Sequence, residues 1–213
     1  MNSARSVALA LALAARALGA DPGGALLEPG PAEAQWRPLI DAMAAKGAIV
    51  APFTERRFFP FRREPMVLSG VLRVSPDRGL SLEYTQPEES IVIADSAGLL
   101  LRDGEGRTRA MPSGSRGPGA VASLLPIMRF DLAALYPRFA IRAYGTRAAW
   151  RLEFAPKDPE AARALGAITV AGAGENVVHL EFKHSSSQRV EIDVGDARTG
   201  ATLSAADLAR FFR

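Results

Sequence analysis

The sequence predicts a mainly β protein of the α+β class, an antiparallel sheet curled around inserted helices that can remain an incomplete barrel. Three observations carry this. Met66, Leu68, Leu72 and Val74 alternate with Ser69, Arg73 and Ser75, and Leu80, Leu82 and Tyr84 continue the same parity against Ser81 and Glu83, which is the period of a half-buried strand. About ten such runs recur along the chain with short turn segments between them, as expected of a meander. Apolar spacing of three and four is confined to early, middle and late stretches, so helices are few and inserted between strands.

Taken in order, residues 21–32 hold three prolines and three glycines and read as a flexible linker. From Glu33 to Lys46 the apolar residues Trp36, Leu39, Ile40 and Met43 form one helical face that Gly47 would end. Ile49 to Phe59 and Met66 to Ser75 read as strands around the turn Pro60-Phe-Arg-Arg-Glu-Pro65, and residues 80–84, 91–95 and 99–103 as three more. Met111 to Gly119, with three glycines, two prolines and two serines, reads as a mobile loop. Val121, Leu124, Leu125 and Met128 share a helical face, and Asp131 can cap a second short helix carrying Leu132 and Leu135 before Pro137 stops it. Strands follow at 139–144, 149–154, 167–170, 177–182 and 190–194. Ser204 and Asp207 have the spacing of a capping box for a terminal helix, 205–212.

The N-terminus has the parts of a secretory signal peptide over residues 1–20: Arg5, an apolar run from Val7 to Ala15, and small residues up to Ala20. The run is far shorter than the ~20 residues of a membrane-spanning helix. The rest, residues 33–213, fits one domain. Removing Arg5 and Arg16 from 26 basic residues leaves 24 against 23 acidic ones, so the expected mature domain is nearly neutral. No basic patch points to nucleic acid. The pairs Arg56-Arg57 and Arg62-Arg63 read as a solvated hairpin end.

The chain has no cysteine, so no disulfide, thiolate cluster or cysteine nucleophile is available. It lacks a Gly-x-Ser-x-Gly elbow, a phosphate-binding Gly-x-x-x-x-Gly-Lys loop and a His-Glu-x-x-His helix. His179 shares a strand face with Glu181 and His184 lies beyond the strand end, a poor arrangement for a shared metal. Glu88 and Glu89, if extended, point to opposite faces and do not make an acid/base pair. No catalytic residue, metal site or cofactor is expected.

A more specific signal runs from Phe53 to Asp95. Phe53-Thr-Glu55, a glycine opening a strand at Gly70, the corner Thr85-Gln-Pro-Glu-Glu-Ser90 and the run Ile91-Val-Ile-Ala-Asp95-Ser-Ala-Gly98-Leu follow one another in an order that resembles the LolA family of periplasmic outer-membrane lipoprotein carriers. The resemblance covers most of the chain after the leader and is thin after Gly145. It implies a LolA/LolB-like fold: an open, strongly curved sheet closed on one side by helices, with a greasy hollow between. It also implies a periplasmic, monomeric, non-enzymatic carrier. That carrier would receive acylated lipoprotein or other lipid from an inner-membrane ATP-driven extractor and hand it to an outer-membrane receptor. The receptor is anchored through an N-terminal cysteine, which this chain does not have. A lipid-sensing or regulatory periplasmic domain of the same fold is the alternative reading, and a small hydrolase built on His179 or His184 is a third.

A carrier hides acyl chains from water, and each buried methylene is worth ~0.8 kcal/mol. The expected lining comprises Phe53, Leu68, Leu72, Leu80, Leu82, Ile91, Ile93, Leu99 and Leu101. A lid would add Leu124, Leu125, Met128, Phe130 and Leu135. From pattern alone the same residues fit an ordinary core; the resemblance is what makes them a cavity. Family members carry an Arg-Pro pair between strands two and three whose arginine holds the lid. Pro76 and Asp77 stand there in this chain, and Arg78, two residues on, can substitute as a lid contact.

Overall fold

The computed structural model of the protein describes residues 24–111 and 126–213. The expected signal peptide, residues 112–119 of the expected loop, and Leu124 and Leu125 lie outside the described residues. Among the described residues, thirteen strands form one sheet. The first half contains β1 (Ala25–Leu27), α1 (Pro31–Ala44), β2 (Ile49–Phe58), β3 (Met66–Ser75), β4 (Gly79–Gln86), β5 (Ser90–Asp95), β6 (Gly98–Asp103) and β7 (Thr108–Met111). The second contains α2 (Leu132–Leu135), β8 (Phe139–Thr146), β9 (Ala149–Pro156), α3 (Pro159–Leu165), β10 (Ala167–Ala173), β11 (Asn176–Lys183), β12 (Arg189–Val194), β13 (Arg198–Thr199) and α4 (Ala205–Phe211).

Local chemistry accounts for the elements. Two meanders, β2 to β7 and β8 to β12, are each built from sequential antiparallel neighbours, as short turns demand. They join where β12 pairs with β2, Ile192 opposite Glu55. The resulting order is β1-β8-β9-β10-β11-β12-β2-β3-β4-β5-β6-β7, with β13 beside β2. The end strands β1 and β7 do not pair with each other, so the sheet stays open. Gly79 sits at φ +108 in the β3–β4 turn, where a side chain would be strained. At Gly70 the register with β4 shifts, and a Cβ there would run into the carbonyl of Glu83, so only glycine fits.

One face of this sheet is apolar over most of its width. Cross-strand partners share a face, and the registers Val74↔Leu80, Leu72↔Leu82, Leu152↔Val170 and Leu180↔Ile192 line up the inner side. Trp36, Leu39, Ile40 and Met43 of α1 are buried in the same cluster, together with Ile127, Met128, Phe130, Leu132 and Leu135. The early helix therefore forms as its spacing predicts, with Pro31 in its first turn where a missing N–H costs nothing. Asp131 caps α2 by accepting from the Ala134 N–H at 3.1 Å. The Ser204–Asp207 capping box opens α4.

The structure differs from expectation in three short strands, one helix and the outer face. Ala25–Leu27, read as linker, is a strand on the edge of β8 with Leu27 buried; a strand of two to four residues is too short to show a period, and β7 and β13 escape for the same reason. Helix α3 was not anticipated because Leu165 is its only described residue that is fully buried, so it lacks an apolar stripe, although Asp158 and Pro159 are start signals. The outer face, expected to be wet, is covered over β3 to β6 by α4, where Ser81 and Ile93 are completely buried.

Candidate functional site

The inner face gathers most of the expected lining residues. Phe53, Leu72, Leu80, Leu82 and Leu99 belong to one buried cluster with Met128, Phe130 and Leu135 from the segment after residue 125. Leu68 is half-buried against that cluster. Leu101 faces the same way, opposite Val92, and is half-buried near the β7 edge. These side chains are closed over by helices in this structure.

Ile91 and Ile93 require correction: they point to the outer face and pack with Phe211 and Phe212 of the C-terminal segment. The inward residues of β5 are Val92 and Ala94, opposite Leu82 and Leu80. The run Ile91-Val-Ile-Ala94 is apolar throughout because β5 is covered on both sides, and a continuous apolar run carries no parity to read.

A polar trio interrupts this face. Glu55, 2 % exposed, accepts from the Tyr84 hydroxyl at 2.7 Å and from Nε of Arg57. A further Arg57 nitrogen lies 3.4 Å from the Tyr84 oxygen, and the Tyr84 ring meets Phe53 edge-on at 5.4 Å. Burial and the adjacent Glu55 carboxylate push the Tyr84 phenol up, so it stays protonated and donates. Burial works against the Arg57 charge, but Glu55 and Tyr84 outweigh it and hold the guanidinium pKa above its ordinary value. A buried carboxylate costs several kcal/mol unless its lone pairs are met; here both oxygens have partners. Reading for apolar residues alone passes over Glu55, although Phe53, Glu55 and Arg57 share one parity and that signal is in the sequence.

A second buried carboxylate, Glu33 on α1, accepts from the Tyr136 hydroxyl at 2.9 Å and is paired with Arg37. Beside it lies an open cleft of about 500 Å³ lined by Pro29, Gly30, Glu33, Ala34, Arg37, Pro38 and Asp41. The cleft mixes charged side chains with prolines and an alanine and sits on the exposed side of α1, away from the apolar face.

Arg78 is not directed at the lid side by any described contact. Its guanidinium donates to the carbonyl of Arg213 at 3.1 Å, drawn to the C-terminal segment on the outer face. Arg129 instead donates to the Pro76 carbonyl at 2.8 Å. The β3–β4 turn and the segment after residue 125 are thus tied together with the donor on the opposite partner from the expected one. His179 bonds Asp193 at 2.7 Å on the outer face, and the His184 backbone closes the β11–β12 turn onto Gln188. Among the described residues no three His, Cys, Asp or Glu side chains come together as a metal site, and no helix is long and apolar enough to cross a membrane.

The family whose sequence model is described as outer membrane lipoprotein carrier protein LolA-like matches residues 30–211. The chain belongs to this LolA-like family. Solved structures resemble it at low identity. A putative outer membrane lipoprotein-sorting protein domain from Vibrio parahaemolyticus is 12% identical, with a TM-score of 0.46 over 80% of this chain and 93% of that one. A LolA superfamily protein from Nitrosomonas europaea is 8% identical, with a TM-score of 0.43 over 79% and 94%. MucB in its complex with MucA from Pseudomonas aeruginosa is 16% identical, with a TM-score of 0.42 over 81% and 59%. No curated protein matches the chain.

Proposed function

We propose that this LolA-like chain is a periplasmic, non-enzymatic and monomeric carrier that takes the acyl chains of lipoproteins or other lipids against the inner face of its sheet. Cargo would come from an inner-membrane ATP-driven extractor and pass to an anchored outer-membrane receptor. The observation that supports this most is the family match over residues 30–211, joined to an inner face that gathers one large apolar cluster from both meanders. In this reading, Phe53, Leu68, Leu72, Leu80, Leu82, Leu99 and Leu101 receive the chains when the helices that close over them move aside. Met128, Phe130 and Leu135 form part of that cover. Arg57, about a third exposed, has one nitrogen, Nη1, beyond those used by Glu55 and Tyr84, and takes the polar end of the cargo.

The test is to purify the protein from a periplasm without detergent and weigh it by native mass spectrometry. Co-purifying acylated cargo is the expected result. Leu101→Glu, a half-buried position, should lose that cargo while keeping its thermal midpoint within a few degrees. An empty protein that also fails to bind added fatty acid would return the inner leucines to ordinary core.

A further inference from the structure

The tip of the β2–β3 hairpin carries two stacked phenylalanines, one of them the most exposed large apolar residue among the described residues. Phe59 accepts from the Arg62 N–H through its carbonyl at 3.1 Å, closing a four-residue turn with Pro60 at its second position, where the ring presets the backbone. Phe61 stands next in that turn and is 82% exposed, well above the other exposed large apolar residues. Its ring stacks on Phe59 with centroids 5.4 Å apart and planes 24° apart. Two phenyl rings are therefore held together in water by a preset turn, not scattered singly as surface apolar residues usually are.

Arg62 and Arg63 follow immediately and are exposed. Their sequence neighbours Arg56 and Arg57 are occupied by Glu191, Asp193 and Glu55, whereas no ion pair joins Arg62 or Arg63 to an acid among the described residues. Register shows how far the tip projects. β4 ends with Gln86 opposite Ser69, while β2 and β3 pair on through Glu55↔Leu68, Arg56↔Val67 and Arg57↔Met66. At about 3.3 Å per residue those three rungs carry the hairpin roughly 10 Å past its neighbour before the turn begins. On the other side the β11–β12 turn carries Lys183, His184 and serines, and no acid. The opposing charges are Glu64 on the tip itself and Glu88 and Glu89 in the corner after β4.

We propose that this hairpin tip is a membrane-contact site for an anionic phospholipid surface, with Phe59 and Phe61 seated at the headgroup level and Arg62 and Arg63 against the phosphates. Exposed phenylalanine rings gain by leaving water for the boundary between headgroups and acyl chains, as the apolar side chains of interfacial helices do. Basic residues beside them gain from the negative surface potential, a gain that salt weakens. Charge complementarity selects anionic over zwitterionic lipid. This site does not depend on what the inner face holds.

The test is co-sedimentation of the leaderless chain with phosphatidylcholine vesicles, with and without one-third phosphatidylglycerol, at low and high salt. The wild type should bind the anionic vesicles and lose affinity in salt. Arg62→Glu with Arg63→Glu should weaken binding roughly tenfold or more, and Phe61→Ser several-fold at both salt concentrations. Val178→Ser, which removes another exposed apolar residue, should leave it unchanged. Equal binding by all variants, or no binding by the wild type, overturns the proposal. So does a Phe61→Ser effect seen only in sedimentation equilibrium of the protein alone, which would make the tip a contact between copies. Native masses of the same variants should keep whatever cargo the wild type carries, so this site can fail while the carrier reading stands.

Discussion

The outer face of the sheet has two regions built on the same alternation and finished in opposite ways. Over β3 to β6 it is covered: Ile91 and Ile93 are buried beneath Phe211 and Phe212, with Leu100, Leu203 and Leu208 at the margin. Arginines fasten the cover. Arg73 bonds Glu83 at 2.8 Å and lies 3.5 Å under the Phe211 ring, and Arg213 grips Asp95 through two contacts of 2.6 and 2.7 Å. Over β2, β11 and β12 no helix among the described residues covers the same face. It carries instead a net of Arg56 with Glu191 and Asp193, His179 with Asp193, and Arg189 with Glu191. The contrast teaches that an outward residue in this protein is stabilised either by burial, worth ~1.5–3 kcal/mol per large apolar side chain, or by part-exposed ion pairs worth at most ~1 kcal/mol.

The largest effect should come from the covered region. Ile93→Ala is expected to cost about 2–4 kcal/mol in urea unfolding, because Ile93 is fully buried between the sheet and the C-terminal segment. A loss under ~1 kcal/mol would mean that α4 does not hold this face. Next, Arg73→Met keeps an alkyl chain under Phe211 but removes the ion pair and the cation–π contact. Glu83 retains Arg210 at 3.2 Å, so a loss of about 1–2 kcal/mol is expected. Equal or greater stability would show that the buried charge costs more than it returns, as Nη1 of Arg73, which has no partner, would allow.

The smallest effect belongs to the net. Arg56→Ala should lower stability by ~1 kcal/mol or less at neutral pH, since its side chain is about a third exposed. Its signature lies in the pH dependence. Burial works against the Glu191 and Asp193 carboxylates, but Arg189 and Arg56 for the first, and His179 and Arg56 for the second, outweigh it and hold both below the ordinary range. A depressed folded pKa contributes stability that is full above the unfolded value of about 4 and is lost as pH falls through the folded one. Unfolding free energies measured between pH 6 and pH 3 should therefore fall, and Arg56→Ala should flatten the fall. Parallel curves for wild type and variant would remove the net from the account.

Most of the inner face was legible because alternation is strict where one side of a strand is polar. Leu72, Leu80 and Leu82 could be assigned from their neighbours Arg73, Ser81 and Glu83. Ile91 and Ile93 could not, because a strand covered on both sides loses its polar parity marker. Glu55 was legible by position but not by type, since a search for a greasy surface does not look for a carboxylate. The reversed tie at Pro76 was out of reach: which arginine meets that carbonyl depends on how the segment after residue 125 lies, and no spacing within the turn specifies it.

By itself, the sequence determined the meander from β2 to β6, the existence of the later strands β8 to β12, the helices at both ends, the caps at Asp131 and Ser204, and the resemblance to the LolA-like family. These follow from period, turn chemistry and motif order, all of which act over a few residues. Tertiary structure alone decided that β12 closes against β2, that α4 covers the outer face over β3 to β6, and that the Phe59–Phe61 turn reaches past β4. Each of those is a matter of which distant surface arrives to exclude water, and burial is a property of the pair of surfaces, not of either strand alone.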